Sequence, residues 1–165
     1  MLDFPAPLSL MGHMESEIPP YTLHDSLGYW LSVTARLQER RLDERLRDLG
    51  LTRITWCILV GLANEKLTQP SELAQFVGID RTATSRALRQ LEQAGLLSRS
   101  SGTGDRRTRQ ISLTENGRAA VRSAIPFARE NSAIMAERLG PENVGALLDM
   151  LRRLAAGEET QLSHL

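Results

Sequence analysis

The sequence is poor in the residues on which disulfides, metal sites and aromatic cores depend. It has one cysteine, three histidines, two Trp, two Tyr and three Phe. One cysteine cannot close an intramolecular disulfide, and three scattered histidines form no ligand cluster, so no metal site is expected. No apolar run approaches the ~20 residues that a membrane-spanning helix needs. These shortages favour a protein of the reducing cytoplasm, without a metal and without a membrane partner.

Net charge is absent too, because 20 Lys and Arg residues balance 20 Asp and Glu residues. Hydrophobic residues make up 41% and charged residues 24% of the chain, which is ordinary for one globular domain. No Ser-His-Asp order, glycine-rich phosphate loop or carboxylate pair stands out. We therefore expect neither an enzyme nor a cofactor, and we assign no catalytic residue.

Residues 1–21 hold two proline clusters, no periodicity and no basic start of a signal peptide, so we expect a mobile tail there.

The stretch from Pro70 to Gly95 has the pattern of two short helices joined by a tight turn. The first helix carries an apolar stripe formed by Leu73, Ala74 and Val77. Ser71 is expected to cap this helix, and Gly78 stands where a helix end favours a positive φ. Asp80 is expected to cap the second helix, which ends before Gly95.

The second helix divides into a buried side and an outward side. The residues expected in the core are Thr84, Ala87, Leu88 and Leu91. Arg86 lies two residues, or roughly 200° of helical rotation, from Leu88, so it points away from the core. The outward residues are Thr82, Ala83, Ser85, Arg86 and Arg89. A polar face directly after a tight turn is typical of a helix that enters a DNA major groove.

Beyond Gly95 the hydrophobic period becomes that of a β-hairpin. A polar strand ends near Ser100, and turn-forming residues 101–104 follow it. The second strand alternates polar and apolar residues from Thr108 to Leu113. Between residues 81 and 109 there are seven arginines and two acids, so positive charge is concentrated in one part of a neutral chain. Clustered arginine favours binding to phosphates and to guanine edges.

The run DRRTRQISLTENG, preceded by a helix that ends in LRQLEQAGLL, resembles the MarR family of bacterial winged helix-turn-helix transcription regulators. The signature of that family, Asp-x-Arg and then Leu-Thr-x-x-Gly, stands here as Asp105, Arg107, Leu113, Thr114 and Gly117. The resemblance extends from about residue 22 to the C-terminus. It implies a mainly α fold with a small β-wing, in which a winged helix-turn-helix is flanked by terminal dimerisation helices.

Helical spacing predicts further helices over Thr22–Leu49, over Arg53–Ala63 after a cap at Thr52, over Glu115 to about Leu139 after a cap at Thr114, and from Pro141 onward. Pro126 is expected to kink or loosen the third of these helices, and residues 67–69 are expected to add a short third strand. The two ends carry more apolar stripes than one winged domain can cover, which predicts a homodimer. The expected division is a tail at 1–21, a dimerisation helix at 22–50, the DNA-binding domain at 51–114 and C-terminal dimerisation helices at 115–165.

These patterns assign double-stranded DNA as a partner. The predicted DNA-contacting residues are Ser71, Arg81, Thr82, Ala83, Ser85, Arg86, Arg89, Asp105, Arg106, Arg107 and Arg109. Arg86 is expected to reach a base edge or a phosphate. The resemblance implies that Asp105 pairs with Arg107 and aims it into the minor groove. In a two-fold dimer the two recognition helices meet grooves roughly 34 Å apart, which implies a pseudo-palindromic operator.

The resemblance also implies a small aromatic or lipophilic effector, bound between the terminal helices and the winged domain. Side chains that suit such a space are His24, Tyr29, Trp30, Arg36 and Trp56, although both Trp residues also suit a plain core. The sequence thus favours a sequence-specific dimeric DNA-binding regulator, a repressor relieved by a small molecule. Two alternatives stay open. One is a winged-helix protein-interaction module, and the other is an oxidant sensor that uses Cys57.

Overall fold

The computed structural model describes residues 19–101 and 109–157. Its helices and strands, in chain order, are α1 (Leu27–Arg47), α2 (Arg53–Asn64), α3 (Pro70–Val77), α4 (Arg81–Gln93), β1 (Leu97–Ser101), β2 (Arg109–Leu113), α5 (Glu115–Leu139) and α6 (Val144–Ala155). Short 3-10 turns over Leu23–Asp25 and Pro141–Asn143 precede α1 and α6. The two strands pair antiparallel, so the described elements form the mainly α fold with a small β-wing that the sequence predicts.

Side-chain caps confirm two of the predicted helix starts on either side of the α3–α4 pair. The hydroxyl of Thr52 accepts from the backbone N of Thr55 at 3.2 Å at the start of α2. Thr114 accepts from the backbone N of Gly117 at 3.0 Å at the start of α5. Each cap satisfies a first-turn N–H that has no partner within the helix. These local contacts explain why α2 and α5 begin where the sequence places them.

The predicted cap at Ser71 is wrong. Helix α3 begins at Pro70, whose missing N–H costs nothing in a first turn, so Gln69 is the capping position. The carboxylate of Glu72 accepts from the backbone N of Gln69 at 3.0 Å and from that of Thr68 at 3.1 Å. Because Glu72 reaches back over the first turn, Ser71 lies inside the helix with its side chain exposed.

The predicted start of the first helix at Thr22 is also wrong. A 3-10 turn covers Leu23–Asp25, and Ser26 is extended, with ψ 128°. The Ser26 hydroxyl accepts from the backbone N of Tyr29 at 3.4 Å and caps α1. A serine at this position competes with the helix for backbone donors, so the helix starts anew after it.

The predicted third strand at residues 67–69 does not form. One hydrogen bond joins this stretch to the hairpin, from the backbone N of Ile111 to the O of Thr68, at 2.9 Å. Gln69 is already committed to the start of α3, so too few residues remain to extend the ladder.

The C-terminal helices differ from the prediction at the start of α6. Helix α5 runs without interruption through Pro126 from Glu115 to Leu139. Pro141 opens a 3-10 turn rather than the last helix itself, and α6 begins at Val144. The positive φ of Gly140, 86°, separates α5 from this turn.

One hydrophobic core lies where α1, α2, α4, α5 and the hairpin meet. Its fully buried members include Leu46, Ile58, Leu88 and Ile111. Helix α6 contributes no buried residue, and the first half of α1 contributes none either. Within the described ranges, no helix is both long and apolar enough to cross a lipid bilayer.

Candidate nucleic-acid interface

Helices α3 and α4 are joined by a turn of three residues, 78–80. Gly78 has φ 73° and ψ 38°, a left-handed conformation that favours glycine, and it lets the chain reverse within this short distance. Asp80 accepts from the backbone N of Ala83 at 2.7 Å, as the sequence predicts. The geometry is that of a helix-turn-helix, in which the second helix projects from the surface.

The two sides of α4 are divided as the sequence predicts. Thr84, Ala87, Leu88 and Leu91 are buried. The hydroxyl of Thr84 donates to the backbone O of Asp80 at 2.8 Å, which explains how a polar side chain is tolerated in the core. The opposite side carries Thr82, Ser85, Arg86 and Arg89, all exposed, and the half-buried Ala83.

The arginines of α4 differ from many other arginines of the protein in their ion pairing. Arg40, Arg53, Arg118 and Arg152, for example, each pair with a carboxylate of a described residue. Among the described residues, no carboxylate forms an ion pair with Arg81, Arg86 or Arg89. Their guanidinium groups are therefore uncommitted within this part of the protein and able to bind an external anion or base edge.

We expect Asp80→Ala to lower the free energy of unfolding by about 1 kcal/mol, because the first turn of α4 loses its cap. Urea titration followed by circular dichroism measures this loss. The control is Asp80→Asn, which keeps a capping oxygen and should stay within a few tenths of a kcal/mol of the wild type. Equal losses in both variants would contradict the assigned role of the cap.

Ser71 belongs to the same surface as α4. A cavity of about 320 Å³ lies between the start of α3, α4 and β1. It is lined by Pro70, Ser71, Arg81, Thr84, Ser85, Leu88 and Arg99. The structure thus brings three of the predicted DNA-contacting residues, Ser71, Arg81 and Ser85, to one concave surface.

Arg99 is a member of this surface that sequence analysis left without a role. Its side chain is 20% exposed, and its Nε lies 3.1 Å from Oε2 of Glu92. Its Nη2 is buried without a hydrogen-bond partner among the described residues. In the hairpin register Arg99 lies opposite Ile111, and Leu97 lies opposite Leu113, so Arg99 is on the inner face. Its spacing of two residues from Leu97 is the signal that indicates this orientation.

The wing is described only in part. Asp105, Arg106 and Arg107 lie outside the described residues, so the pairing of Asp105 with Arg107 stays a prediction. Arg109 is the first residue of β2 and pairs in register with Ser101. The hairpin therefore sets out from the end of α4 and returns to the start of α5.

The Leu-Thr-x-x-Gly motif has a structural explanation. The hydroxyl of Thr114 donates to the backbone O of Gly95 at 2.7 Å, and its backbone N donates to the O of Leu96 at 3.2 Å. These bonds tie the start of α5 to the end of α4. A Cβ on Gly117 would overlap the carbonyl oxygen of Leu96 and lie 3.1 Å from a methyl carbon of Leu113. Glycine is required there because the two backbone segments are in direct contact.

The predicted effector residues lie in three different places in the part of the chain that the structure describes. The rings of His24 and Tyr29 meet edge to face with centroids 4.7 Å apart, and Trp30 donates from Nε1 to the backbone O of His24 at 2.6 Å. Arg36 lies further along α1, in a charged surface cleft. Trp56 is 7% exposed and belongs to the core. The assignment of these residues to an effector stays a prediction.

The environment of Cys57 opposes redox sensing. The side chain is half-buried and packs against the core. Burial raises the pKa of the thiol, and this effect exceeds the lowering by the charge of Arg53, one turn away. A raised pKa leaves less thiolate at neutral pH than an ordinary cysteine has, and the thiolate is the reactive form.

In the described ranges, no three His, Cys, Asp or Glu side chains cluster as metal ligands would.

We therefore expect native Cys57 to react with iodoacetamide several-fold more slowly at pH 7 than it does in the urea-unfolded chain. Its rate should begin to rise only at a higher pH than that of the unfolded chain, because the thiolate forms later. Mass spectrometry of quenched samples measures both rates. A native rate that equals or exceeds the unfolded rate would restore the redox alternative.

Two helices with a three-residue turn, followed by an antiparallel hairpin, define a winged helix-turn-helix protein. The MarR family model matches residues 49–108. The repressor CouR, solved on a 23-mer DNA duplex, is 29% identical to this chain, with a TM-score of 0.73 over 81% of this chain and 94% of CouR. Over residues 49–108 in sequence, and in its fold, the chain is therefore similar to the MarR family of transcription regulators.

Two further structures show the same fold at lower identity. A cysteine-to-serine mutant of MarR from E. coli, in complex with operator DNA, is 22% identical, with a TM-score of 0.71 over 78% of this chain and 92% of that chain. BpsR from Bordetella bronchiseptica is 23% identical, with a TM-score of 0.71 over 78% of this chain and 97% of that chain. The DNA binding of BpsR is regulated by 6-hydroxynicotinic acid.

Proposed function

We propose that this regulator binds a pseudo-palindromic DNA operator as a homodimer and inserts α4 of each protomer into a major groove. The observation that carries the proposal is the exposed side of α4, where Arg81, Arg86 and Arg89 face outward without a described carboxylate partner. Arg86 is assigned to base edges, whereas Arg81 and Arg89 are assigned to phosphates. Ser71 supplies a hydroxyl near the start of α3.

The remaining predicted contacts complete the same interface. Thr82, Ala83 and Ser85 approach the bases, Arg106 and Arg109 bind phosphates, and Arg107, oriented by Asp105, enters the minor groove. In this division, residues 51–114 bind DNA, and residues 22–50 and 115–165 dimerise. CouR and MarR, each solved on DNA, support the proposal as relatives with the same fold.

An apolar surface at the two ends of the chain supports the dimer. Leu27 and Leu31 of α1 line a surface cavity of about 450 Å³ together with Leu147, Met150, Leu151 and Leu154 of α6. All six of these side chains are at least 37% exposed. A continuous apolar surface of this extent is costly in water, and a second copy of the chain would bury it.

Fluorescence anisotropy tests the proposal with a labelled duplex that carries the DNA upstream of this protein's own gene. We expect binding that weakens steeply from 50 to 200 mM salt, because phosphate contacts release counterions. Arg86→Ala should weaken binding. Arg40→Ala, which removes an equal charge from the exposed side of α1, should not weaken it. Binding no tighter than to a scrambled duplex would contradict operator recognition, and no binding at all would favour the protein-interaction module.

We also propose that the protein acts as a repressor and that a small aromatic or lipophilic effector releases it from DNA. The support comes from BpsR, whose DNA binding is regulated by 6-hydroxynicotinic acid. An effector of this kind would favour a dimer whose recognition helices no longer match the groove spacing. Titration of the protein–DNA complex with a panel of aromatic acids tests this mechanism. A panel without any effect on anisotropy would contradict the proposed effector class.

A further inference from the structure

One buried polar side chain of the described ranges is hydrogen-bonded between two helices. Thr55 and Thr84, the other two buried polar residues there, bond to the backbone at the start of their own helices. Asn131, in the middle of α5, is 7% exposed and bonds to α1. Buried polar groups that join two elements favour one relative position of those elements over others.

The amide of Asn131 contacts two successive turns of α1. Its Nδ2 lies 3.2 Å from the backbone O of Gln38 and 3.2 Å from the side-chain Oε1 of the same residue. Its Oδ1 accepts from Nε of Arg41 at 3.0 Å. Both the donor and the acceptor of the Asn131 amide are therefore hydrogen-bonded to α1.

The remaining contacts between α1 and α5 include a cation–π contact, in which the guanidinium carbon of Arg45 lies 4.2 Å from the centroid of the Phe127 ring. Apolar side chains of both helices join the same core, among them Leu42, Leu46, Ala124 and Ala128. Such side chains pack acceptably in more than one register. Arg45 and Glu130 form an ion pair at 3.5 Å, but both side chains are more than half exposed. This pair therefore contributes little to the register of α1 against α5. Sliding α5 by one turn, about 5.4 Å, would separate the Asn131 amide from its present partners, Gln38 and Arg41.

Helix α1 also forms ion pairs with α2, which belongs to the proposed DNA-binding lobe, residues 51–114. Arg53, in the first turn of α2, pairs with Glu39 and, at 2.9 Å, with Asp43 of α1. Helix α2 in turn packs against α3 and α4. The second half of α1 is thus held between α5 and the DNA-binding lobe, while its first half carries part of the exposed apolar surface.

We propose that Asn131 is a positioning residue for DNA binding, which fixes the register of α1 against α5 and thereby the separation of the two recognition helices. This inference rests on the proposed dimeric function, since a separation exists only in a dimer. One added base pair between half-sites turns them by roughly 35° relative to each other, so a fixed separation imposes a single operator spacing.

Selection from a library of random duplexes tests the proposal, because the enriched sequences report the half-site and the spacing together. Wild type should enrich one spacing and bind about tenfold more weakly when one base pair is inserted. Asn131→Leu should enrich the same half-site at several spacings, with insertion costing less than about threefold. Glu130→Gln, which removes the exposed ion pair between the same two helices, should keep the single spacing of the wild type.

Two additional measurements separate positioning from folding and from failure of the proposed function. Thermal melting checks that Asn131→Leu still folds. A second variant, Gln38→Met with Arg41→Met, leaves Asn131 in place and removes its side-chain partners on α1. Spin labels on Gln93→Cys in a Cys57→Ser background report the distance between recognition helices without DNA. We expect one narrow distance distribution for the parent and a broad one for both variants.

A single spacing and a narrow distribution in both variants would overturn the role of Asn131 while leaving the proposed function intact. Failure of the wild type to enrich any sequence would instead overturn the proposed function, and the label distances would still test the register. A monomeric wild type would overturn both.

Discussion

Arg86→Ala is expected to lower operator affinity about tenfold to a hundredfold and to relax specificity at the base pair that Arg86 contacts. Arg86 is exposed on α4, with the buried Leu88 on the other side of the helix, and it has no carboxylate partner among the described residues. Its planar guanidinium can donate two hydrogen bonds to the edge of a guanine. Anisotropy titrations with the operator and with single-base-pair variants of it measure both effects.

The comparison variant is Arg89→Ala, one turn further along the same helix. If Arg89 binds phosphate, its loss should weaken specific and non-specific binding by similar factors and reduce the salt dependence by about one counterion. Equal relaxation of base preference in both variants would contradict the division of roles between them. An unchanged affinity of Arg86→Ala, in a variant that remains folded, would show that α4 does not read the operator through this residue.

Gly117→Ala is expected to produce the largest loss of stability, about 3 kcal/mol, which corresponds to a fall of about 10 °C in the melting temperature. The new methyl group would overlap the backbone oxygen of Leu96, and a backbone atom cannot rotate aside as a flexible side chain can. Relief requires that α5 move away from Leu96, in the connection between α4 and β1. That movement would also strain the bond from Thr114 to Gly95.

The matched control is Gly145→Ala, in the first turn of α6, where an added Cβ would meet nothing within 4 Å. This substitution should stabilise the protein by about 0.5–1 kcal/mol, because alanine has the higher helix propensity. Differential scanning calorimetry of both variants measures the contrast. A small effect of Gly117→Ala would show that α5 and the α4–β1 connection have room to separate.

Features that depend on neighbouring residues could be predicted from the sequence. The cap at Asp80, the left-handed Gly78 and the buried side of α4 all depend on groups within about four residues of one another. Two errors arose where neighbours compete for the same backbone donors. Glu72 rather than the expected Ser71 completes the start of α3, and Ser26 interrupts the first helix. Such competition has several local solutions, and packing selects one of them.

Features that depend on distant segments could not be predicted in this way. Nothing in the sequence around Asn131 indicates burial, because its partner Gln38 is 93 residues away. The periodicity of α6 indicates an apolar stripe, but only the structure shows that none of its residues is buried. The inward orientation of Arg99 depends on the pairing of β1 with β2.

By itself, the sequence determined the order of helices, their main caps, the polar outer side of α4 and the signature of the family. Tertiary structure alone decided which backbone segments touch and which polar groups are buried. Gly117 shows the difference. The sequence marks it as part of a motif, but only the contact between α5 and the backbone of Leu96 shows that a side chain has no space there. The physical reason is that caps and periodicity are local, whereas burial is settled by segments far apart in the chain.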